Sequence, residues 1–593
     1  MKRRVERGPE QRRRPDSAGS VGLIARRASP AAAAPATGEQ GAFARDRDAV
    51  RVHGDSVPVG GIPARVRSPA PAAAPLSGPP RRGIRSGVSD PSVHQNGNPT
   101  PSEPAASVSE MARRAVASAR AAQERWRLLP LSDRADALEQ AAKAMLRRRA
   151  EIIALVHDEI GKVEAEGIFN EALGPLDTVK GWIKVVTRAT ARQAVRLNPL
   201  SFPGKTAYVD LIPRGVVGVI APWNYPVAGL YRATLPALLT GNAVVIKPSE
   251  YSPRSSAWFA ERLGDALPEG LVQVLQGDGR AGAALIDAGV DALVFTGSPQ
   301  AGKRVRLQCA ERGVPSSIEM GGKDAAIVLA DCDLPRTVAG VTHWALSNAG
   351  QACGAIEIAY VDEHIADAFV AALRAAWLKL RVGTDVAPLA NRRQYDVVAS
   401  HVDDARGKGA TVLCGGAAAD LPLGYLPTLL DRCDERMKVV TDETFGPVLA
   451  VVRVTGAAEA IRRVNGSRYG LGASIWTQDI ARGERLGERL EVGVVNINNH
   501  ALSGAIPALP WSGTRETGFG VAGSAHALAT FVRPRATLVD RASAPEPFWM
   551  PFDGALVELG SVLADAQLMH LQRAWKLPLL LRARLRAVRA FFR

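Results

Sequence analysis

The 593-residue chain contains no continuous apolar run approaching the ~18 residues that a membrane-spanning helix needs. It is also poor in cysteine. The five present, Cys309, Cys332, Cys353, Cys414 and Cys433, show no paired spacing. That argues against a disulfide framework and against a zinc site, so no metal is expected, and it suits a reducing, cytoplasmic compartment. Aromatic residues make up only 5% of the chain and are not interleaved with its arginines. Without that pattern or a known binding module, nucleic acid is not an expected partner.

What remains is ordinary globular composition, 46% hydrophobic and 22% charged, enough for the cores of several domains. The net charge of +15 raises the question of an anionic partner, but the basic excess is conspicuous at the two ends. Residues 1–100 form a low-complexity basic tail, rich in Arg, Pro, Ala, Gly and Ser, without the apolar periodicity that a packed core requires. Three readings stand for it: a disordered tail, a segment upstream of the true start, or a targeting peptide. Its arginine pairs suggest the last, yet Ser20-Val21-Gly22-Leu23-Ile24-Ala25 is short for an apolar targeting region.

From Val108 the pattern changes. Ala115, Ala119, Ala122 and Trp126, then Leu138, Ala141, Ala142 and Leu146, recur at helical spacing. Ser132 is a candidate N-cap for the second of these helices. Pro203-Gly204 followed by Thr206-Ala207-Tyr208-Val209-Asp210-Leu211-Ile212 predicts a β-hairpin over 196–212. Strands then alternate with helices. Val216-Val217-Gly218-Val219-Ile220, Ala243-Val244-Val245-Ile246, Ala292-Leu293-Val294-Phe295 and Ala326-Ile327-Val328-Leu329 are among the strands, the rhythm of a parallel sheet. Such sheets bind ligands beyond the carboxyl ends of their strands, and Asn224, Lys247 and Gly297 each follow one. A second α/β region begins after Asp333, and a final strand is expected at Ala529-Thr530-Phe531-Val532.

One cysteine has distinctive neighbours. Cys353 lies in Asn348-Ala349-Gly350-Gln351-Ala352-Cys353-Gly354, among small residues that leave room for a carbonyl carbon to reach sulfur. A thiolate is a strong nucleophile near neutral pH, although a small buried hydrophobe would look the same in isolation. Upstream of it stand Pro222-Trp223-Asn224, Lys247-Pro248-Ser249-Glu250, Phe295-Thr296-Gly297-Ser298 and Ser317-Ile318-Glu319-Met320-Gly321-Gly322-Lys323. Downstream stands Glu443-Thr444-Phe445-Gly446-Pro447-Val448. In this order and at these spacings the set resembles the NAD(P)-dependent aldehyde dehydrogenase superfamily, over roughly residues 102–537.

The resemblance implies an α/β, aldehyde dehydrogenase-like fold. It places a Rossmann-like NAD-binding domain over 101–319, with the 196–212 hairpin serving oligomerisation, and an α/β catalytic domain over 320–505. A return segment and oligomerisation strand follow over 506–539, and 540–593 is left as a basic amphipathic extension. The implied reaction is NAD-dependent oxidation of an aldehyde to a carboxylic acid, in a homodimer or homotetramer. Cys353 would be the nucleophile, and the Asn224 amide with the Cys353 N–H would be the oxyanion donors. Glu319 would activate water, and its presence favours water over coenzyme A as acyl acceptor. A salt-bridge role is the alternative for Glu319.

Trp223, Lys247, Ser249, Glu250, Gly297, Ser298, Glu443 and Phe445 are the implied cofactor contacts. Gly297 would let the backbone approach a pyrophosphate at a helix N-terminus, though a tight turn explains it equally. Lys247 and Glu250 would hold the adenosine ribose, where a carboxylate repels a 2′-phosphate, so NAD is expected over NADP. Glu443 and Phe445 would hold the nicotinamide ribose and ring.

Tyr225, Ala228, Gly229 and Arg232 are candidates for the substrate channel. Arg232 matches an arginine that binds the far carboxylate in succinate semialdehyde dehydrogenases, but Ser347 stands where those enzymes have their second arginine. Alternatively Arg232 pairs with an acid on the channel wall. A catalytically silent binding protein on the same fold is the competing class.

Two departures from the family pattern stand out. Ile358, after Glu357, occupies a position where arginine is common, and altered packing without loss of chemistry is expected. Trp511-Ser512-Gly513-Thr514-Arg515 replaces the usual Phe-Gly-Gly-x-Lys, which is expected to reshape the substrate mouth or the subunit contact. In the extension, Leu577, Leu580, Leu581, Leu585, Val588, Phe591 and Phe592 fall on one helical face. Arg582, Arg586, Arg589 and Arg593 fall opposite, with Arg584 the exception. Such a helix either makes peripheral contact with an anionic membrane or docks on the protein or a partner subunit.

Overall fold

A computed structural model describes residues 107–199 and 201–593. The expectations for residues 1–106 lie outside the described residues. No helix among those described is long and apolar enough to cross a membrane.

The amino-terminal helices follow the apolar spacing. Helix α1 (Val108–Trp126) is capped by Ser107, whose hydroxyl accepts from Glu110 N at 3.2 Å, and it buries Ala112, Ala115, Ala119, Ala122 and Trp126. Helix α2 (Leu131–Arg147) begins one residue before the expected cap. Extended Pro130 takes the N-cap position and its carbonyl accepts from Arg134 N, so Ser132 falls inside the first turn and bonds Asp133 instead. Helix α3 (Arg149–Ile160) stops at Gly161, whose φ of 71° only glycine adopts without strain.

A three-stranded antiparallel sheet comes next, with β1 (Gln193–Val195) and β2 (Lys205–Pro213) forming a hairpin whose first strand lies just before the span expected for it. The chain then builds a five-stranded parallel sheet from β3 (Val216–Ile220), β4 (Ala243–Lys247), β5 (Val272–Val274), β6 (Ala292–Gly297) and β7 (Ser316–Met320). Its order is β5-β4-β3-β6-β7, so the direction of winding reverses between β3 and β6. Helices cover both faces, which is why β3 and β4 are buried at every residue and apolar almost throughout.

Only Gly321, Gly322 and Lys323 separate β7 from β8 (Asp324–Val328), the first strand of a seven-stranded sheet. Its other members are β9 (Ile356–Asp362), β10 (Thr411–Cys414), β11 (Thr428–Asp431), β12 (Val448–Val454), β13 (Gly472–Trp476) and β14 (Val494–Ile497), in the order β10-β11-β12-β9-β8-β13-β14. All pairs are parallel except β10 with β11. The short link brings the carboxyl edge of the first sheet against the amino edge of the second, and the candidate residues collect there.

The last strand differs from expectation. Ala525–Thr530 is a 3₁₀ turn, and β15 runs over Val532–Asp540. Its register is set by β2, which it pairs along its whole length from Val532↔Pro213 to Asp540↔Lys205. That partner lies far away in sequence and leaves no local signal.

Beyond it, helices α4 (Gly554–Gln567) and α5 (Leu577–Phe591) pack on each other. Of the two readings for this segment, the structure shows docking on the chain itself. Leu577, Leu580, Leu581 and Leu585 are half-buried, and Val588 and Arg584 are fully buried. Arg584, the outlier on the helical wheel, pairs with Asp553 at 2.7 Å and donates to the carbonyls of Pro547 and Trp549.

Candidate active site

Cys353 stands three residues before β9, at the end of a tight turn. Asn348 and Ala349 have φ of 51° and 54°, left-handed values that cost non-glycine residues energy. The turn is held from several sides. Asn348 N donates to Glu166, Gln351 Nε2 donates to Asn348 O at 2.9 Å, and Gln351 Oε1 accepts from Ala390 N at 2.9 Å. Gly350 is required by close approach, since a Cβ there would lie 2.1 Å from Gly446 O. The nucleophile turn and the 443–446 loop are therefore in backbone contact.

Asn224 follows β3 and is buried. Its side-chain Nδ2 donates to Gln351 O at 2.9 Å, two residues before Cys353. An amide has a second N–H to offer. The Asn224 carbonyl accepts from Asn348 Nδ2 and from Lys162 Nζ, each at 3.0 Å. Lys162 also pairs with Glu171 at 2.5 Å, and both side chains are fully buried. Glu171 in turn accepts from Val227 N and Ala228 N, tying down the start of the Ala228–Leu239 helix. Lys162 Nζ lies 4.0 Å from the centre of the Tyr225 ring. Sequence reasoning named neither Lys162 nor Glu171.

Glu319 is on β7, half-buried beneath Gly518 and Gly520. Among the described residues no hydrogen bond or ion pair engages its carboxylate, so the salt-bridge alternative does not describe it. Burial pushes its pKa up, and Arg232 pulls it back down. The same two causes act on Cys353: burial pushes the thiol up to about 12, Arg232 opposes this, and Asp324, Glu319 and Glu443 add to it. Arg232 is thus the cation common to both. It forms no ion pair among the described residues and lies over the Trp511 ring at 5.4 Å, so the reading in which a wall acid neutralises it fails. Trp511 also packs on Gly354, which puts the departure at residues 511–515 next to the nucleophile.

The candidate cofactor contacts divide between the sheets. Lys247 ends β4, buried, with Nζ 3.5 Å from the exposed Glu250 carboxylate. Ser249 is buried and its hydroxyl accepts from Tyr251 N. Gly297 ends β6, where a Cβ would strike the Phe295 ring. Ser298 caps the Pro299–Glu311 helix. A glycine strand end leading into a capped helix N-terminus leaves N–H groups open to a pyrophosphate, so these residues fit a dinucleotide. From the second sheet, Glu443 accepts from Gly322 N at 3.1 Å and is pushed up to about 8, chiefly by burial and by the Glu357 charge. Phe445 meets Trp223 edge-on at 5.7 Å, so two candidate residues from opposite sheets touch.

Glu357 was missed as a contributor. It pairs with Lys323, both buried, and accepts from Thr444 N and Phe445 N at 2.8 Å each, which holds Phe445 at its φ of 53°. Ile358 beside it is buried in the sheet core. Ala228 and Gly229 open the helix that carries Arg232, and no atom lies within 4 Å of where a Gly229 side chain would begin.

A sequence profile of the aldehyde dehydrogenase family matches residues 90–537. The chain belongs to the aldehyde dehydrogenase family. It is 38% identical over 441 residues to 4,4′-diapolycopene aldehyde oxidase of Methylomonas sp, covering 72% of this chain and 82% of the relative. It is 36% identical over 426 residues to a putative NADP(+) succinate-semialdehyde dehydrogenase of Mycolicibacterium smegmatis, covering 68% and 80%. Among solved structures it is similar to the NADP-dependent glyceraldehyde-3-phosphate dehydrogenase of Bacillus halodurans in complex with NADP, with a TM-score of 0.68, 34% identity, and coverage of 73% and 92%. The fold is that of aldehyde dehydrogenases, and the protein is an oxidoreductase acting on aldehydes with a nicotinamide cofactor, NAD or NADP.

Proposed function

We propose that this aldehyde dehydrogenase oxidises an aldehyde to a carboxylic acid through a thioester on Cys353, with water as acyl acceptor. The reading rests on one observation. The Asn224 amide is fixed two residues from Cys353 by its bond to Gln351 O. Cys353 Sγ forms a bond to the aldehyde carbon, and the developing oxyanion takes the second Asn224 N–H and the Cys353 N–H. When bound, the nicotinamide cofactor accepts the hydride that leaves this carbon. Glu319, unbonded and burdened by burial, then takes a proton from water as the water oxygen attacks the thioester. The C–S bond breaks, the acid leaves and the thiolate returns.

We favour NAD over NADP because Glu250, beside Lys247, would repel a 2′-phosphate on a ribose held by this pair, although several relatives are named for NADP. Arg232, without an ion-pair partner among the described residues, favours a second reading in which the substrate carries a far carboxylate, as the name of the mycobacterial relative suggests for that protein. The working unit is a homodimer or homotetramer assembled through the sheet of β1, β2 and β15.

Cofactor reduction tests the mechanism. Cys353→Ala should abolish it with every aldehyde while the protein stays folded. Glu319→Gln should give a burst of about one reduced cofactor per subunit and then a slow steady state. Normal turnover by the first variant, or unchanged steady-state hydrolysis by the second, would remove these residues from the roles given.

A further inference from the structure

The extension after β15 lies outside the family-matched region and contributes nothing to the site. It has a small core of its own, Leu559, Val562, Arg584 and Val588, all buried. Lys205 of β2 holds it to the body through Asp540 and Glu546. With the inner faces of both helices spent on each other, the interhelical turn remains bare. Leu568, Met569, Leu571, Trp575 and Leu579 are 67%, 77%, 57%, 67% and 57% exposed. Single exposed apolar residues are ordinary, but four large ones on the interhelical turn with Leu579 in the first turn of α5 form a patch that calls for a partner.

The charge next to the patch identifies that partner. At 100° per residue, Leu579, Arg582, Arg586 and Arg589 lie within a sector of about 80° on α5, a stripe that starts at the turn, and Arg593 follows two residues past the helix end. Among the described residues none of these four arginines has an ion pair. Every acid of the extension is already engaged: Glu546 by Lys205, Asp553 by Arg584, Glu558 by Lys576, and Asp565 by Arg573. A second copy meeting this surface about a twofold axis would bring arginine onto arginine, with no free acid in the extension to answer. A bilayer interface supplies both missing complements, acyl chains for the turn and phosphates for the stripe.

The geometry points to a peripheral membrane contact made by the α4–α5 turn and the arginine stripe, on an anionic leaflet. This surface is distinct from the Leu577, Leu581, Leu585 and Val588 face, which is turned toward α4. The contact is independent of the catalytic reading, since no site residue takes part.

The test is co-sedimentation of the full chain with phosphatidylcholine vesicles, with and without phosphatidylglycerol. The chain should pellet with the anionic vesicles, and raised salt should release it. Met569→Ser with Trp575→Ser, and separately Arg582→Glu with Arg586→Glu, should each lower partitioning about tenfold or more. Oxidation of a short water-soluble aldehyde should be unchanged in both. Three results would overturn the contact: no sedimentation of the full chain with anionic vesicles, equal partitioning of the variants, or a serine variant whose mass in lipid-free solution falls by half. The last would assign the turn to a second copy.

Discussion

At the scale of single residues, the site is dominated by burial that works against ionisation. The Cys353 thiol is pushed up to about 12, with Arg232 the cation that opposes this. Removing that cation should make the thiolate scarcer still. Alkylation of Cys353 by iodoacetamide at pH 8 to 9, followed by peptide mass spectrometry, should be several-fold slower in Arg232→Met, because thiolate fraction sets the rate. An unchanged rate would mean that Arg232 does not act on the nucleophile. Glu443 makes a claim of opposite character. Its folded-state pKa is raised to about 8, so the folded protein keeps the proton where the unfolded chain has lost it. Stability must then fall as pH rises from the ordinary carboxyl range to about 8. Glu443→Gln lacks this loss, so its melting temperature should gain on the parent's as pH climbs from 5 to 8 and run parallel to it above. A gap that does not vary with pH would contradict the assignment.

Elements are positioned by buried ion pairs that no local pattern reveals. Lys162, in the loop after α3, and Glu171, in the next helical segment, carry no sequence signal of function. Only the fold buries both and sets them on the Asn224 carbonyl and the start of the Ala228–Leu239 helix. Lys162→Met would leave a buried carboxylate without its cation. The expected cost is ~3–5 kcal/mol in denaturant unfolding, with a fall in kcat as Asn224 loses its anchor. A change below about 1 kcal/mol would place the pair among dispensable contacts. Glu357 and Lys323 do the same for the 443–446 loop, which the sequence marked only through Glu443 and Phe445. Strand positions were legible where both faces are buried, because β3 and β4 are apolar almost throughout. The strand expected at Ala529–Val532 instead begins at Val532, with Ala529 and Thr530 closing a 3₁₀ turn, because an apolar stretch alone does not say where its partner is.

For the whole molecule, β15 is an edge strand with Leu538 59% exposed. Natural edges of this length are generally covered. The full chain should therefore run as a dimer or tetramer in light scattering, and Leu538→Asp should shift it toward monomer. A monomeric parent chain would refute assembly through this sheet.

The sequence by itself determined the family and the alternation of strands and helices, and it singled out Cys353, Glu319 and Asn224 as candidates. Those follow from local patterns, namely largely apolar strands, glycine turns, and residue types at fixed spacing. Tertiary structure alone decided that Arg232 has no ion-pair partner among the described residues, and that Trp511 lines the nucleophile turn. It also decided that buried Lys162 and Glu171 hold Asn224, and that the amphipathic face of 577–593 folds back on its own neighbour. Each of these depends on which distant groups share a desolvated space, and the cost of burying a charge, or the gain from covering an apolar face, exists only once that space is formed.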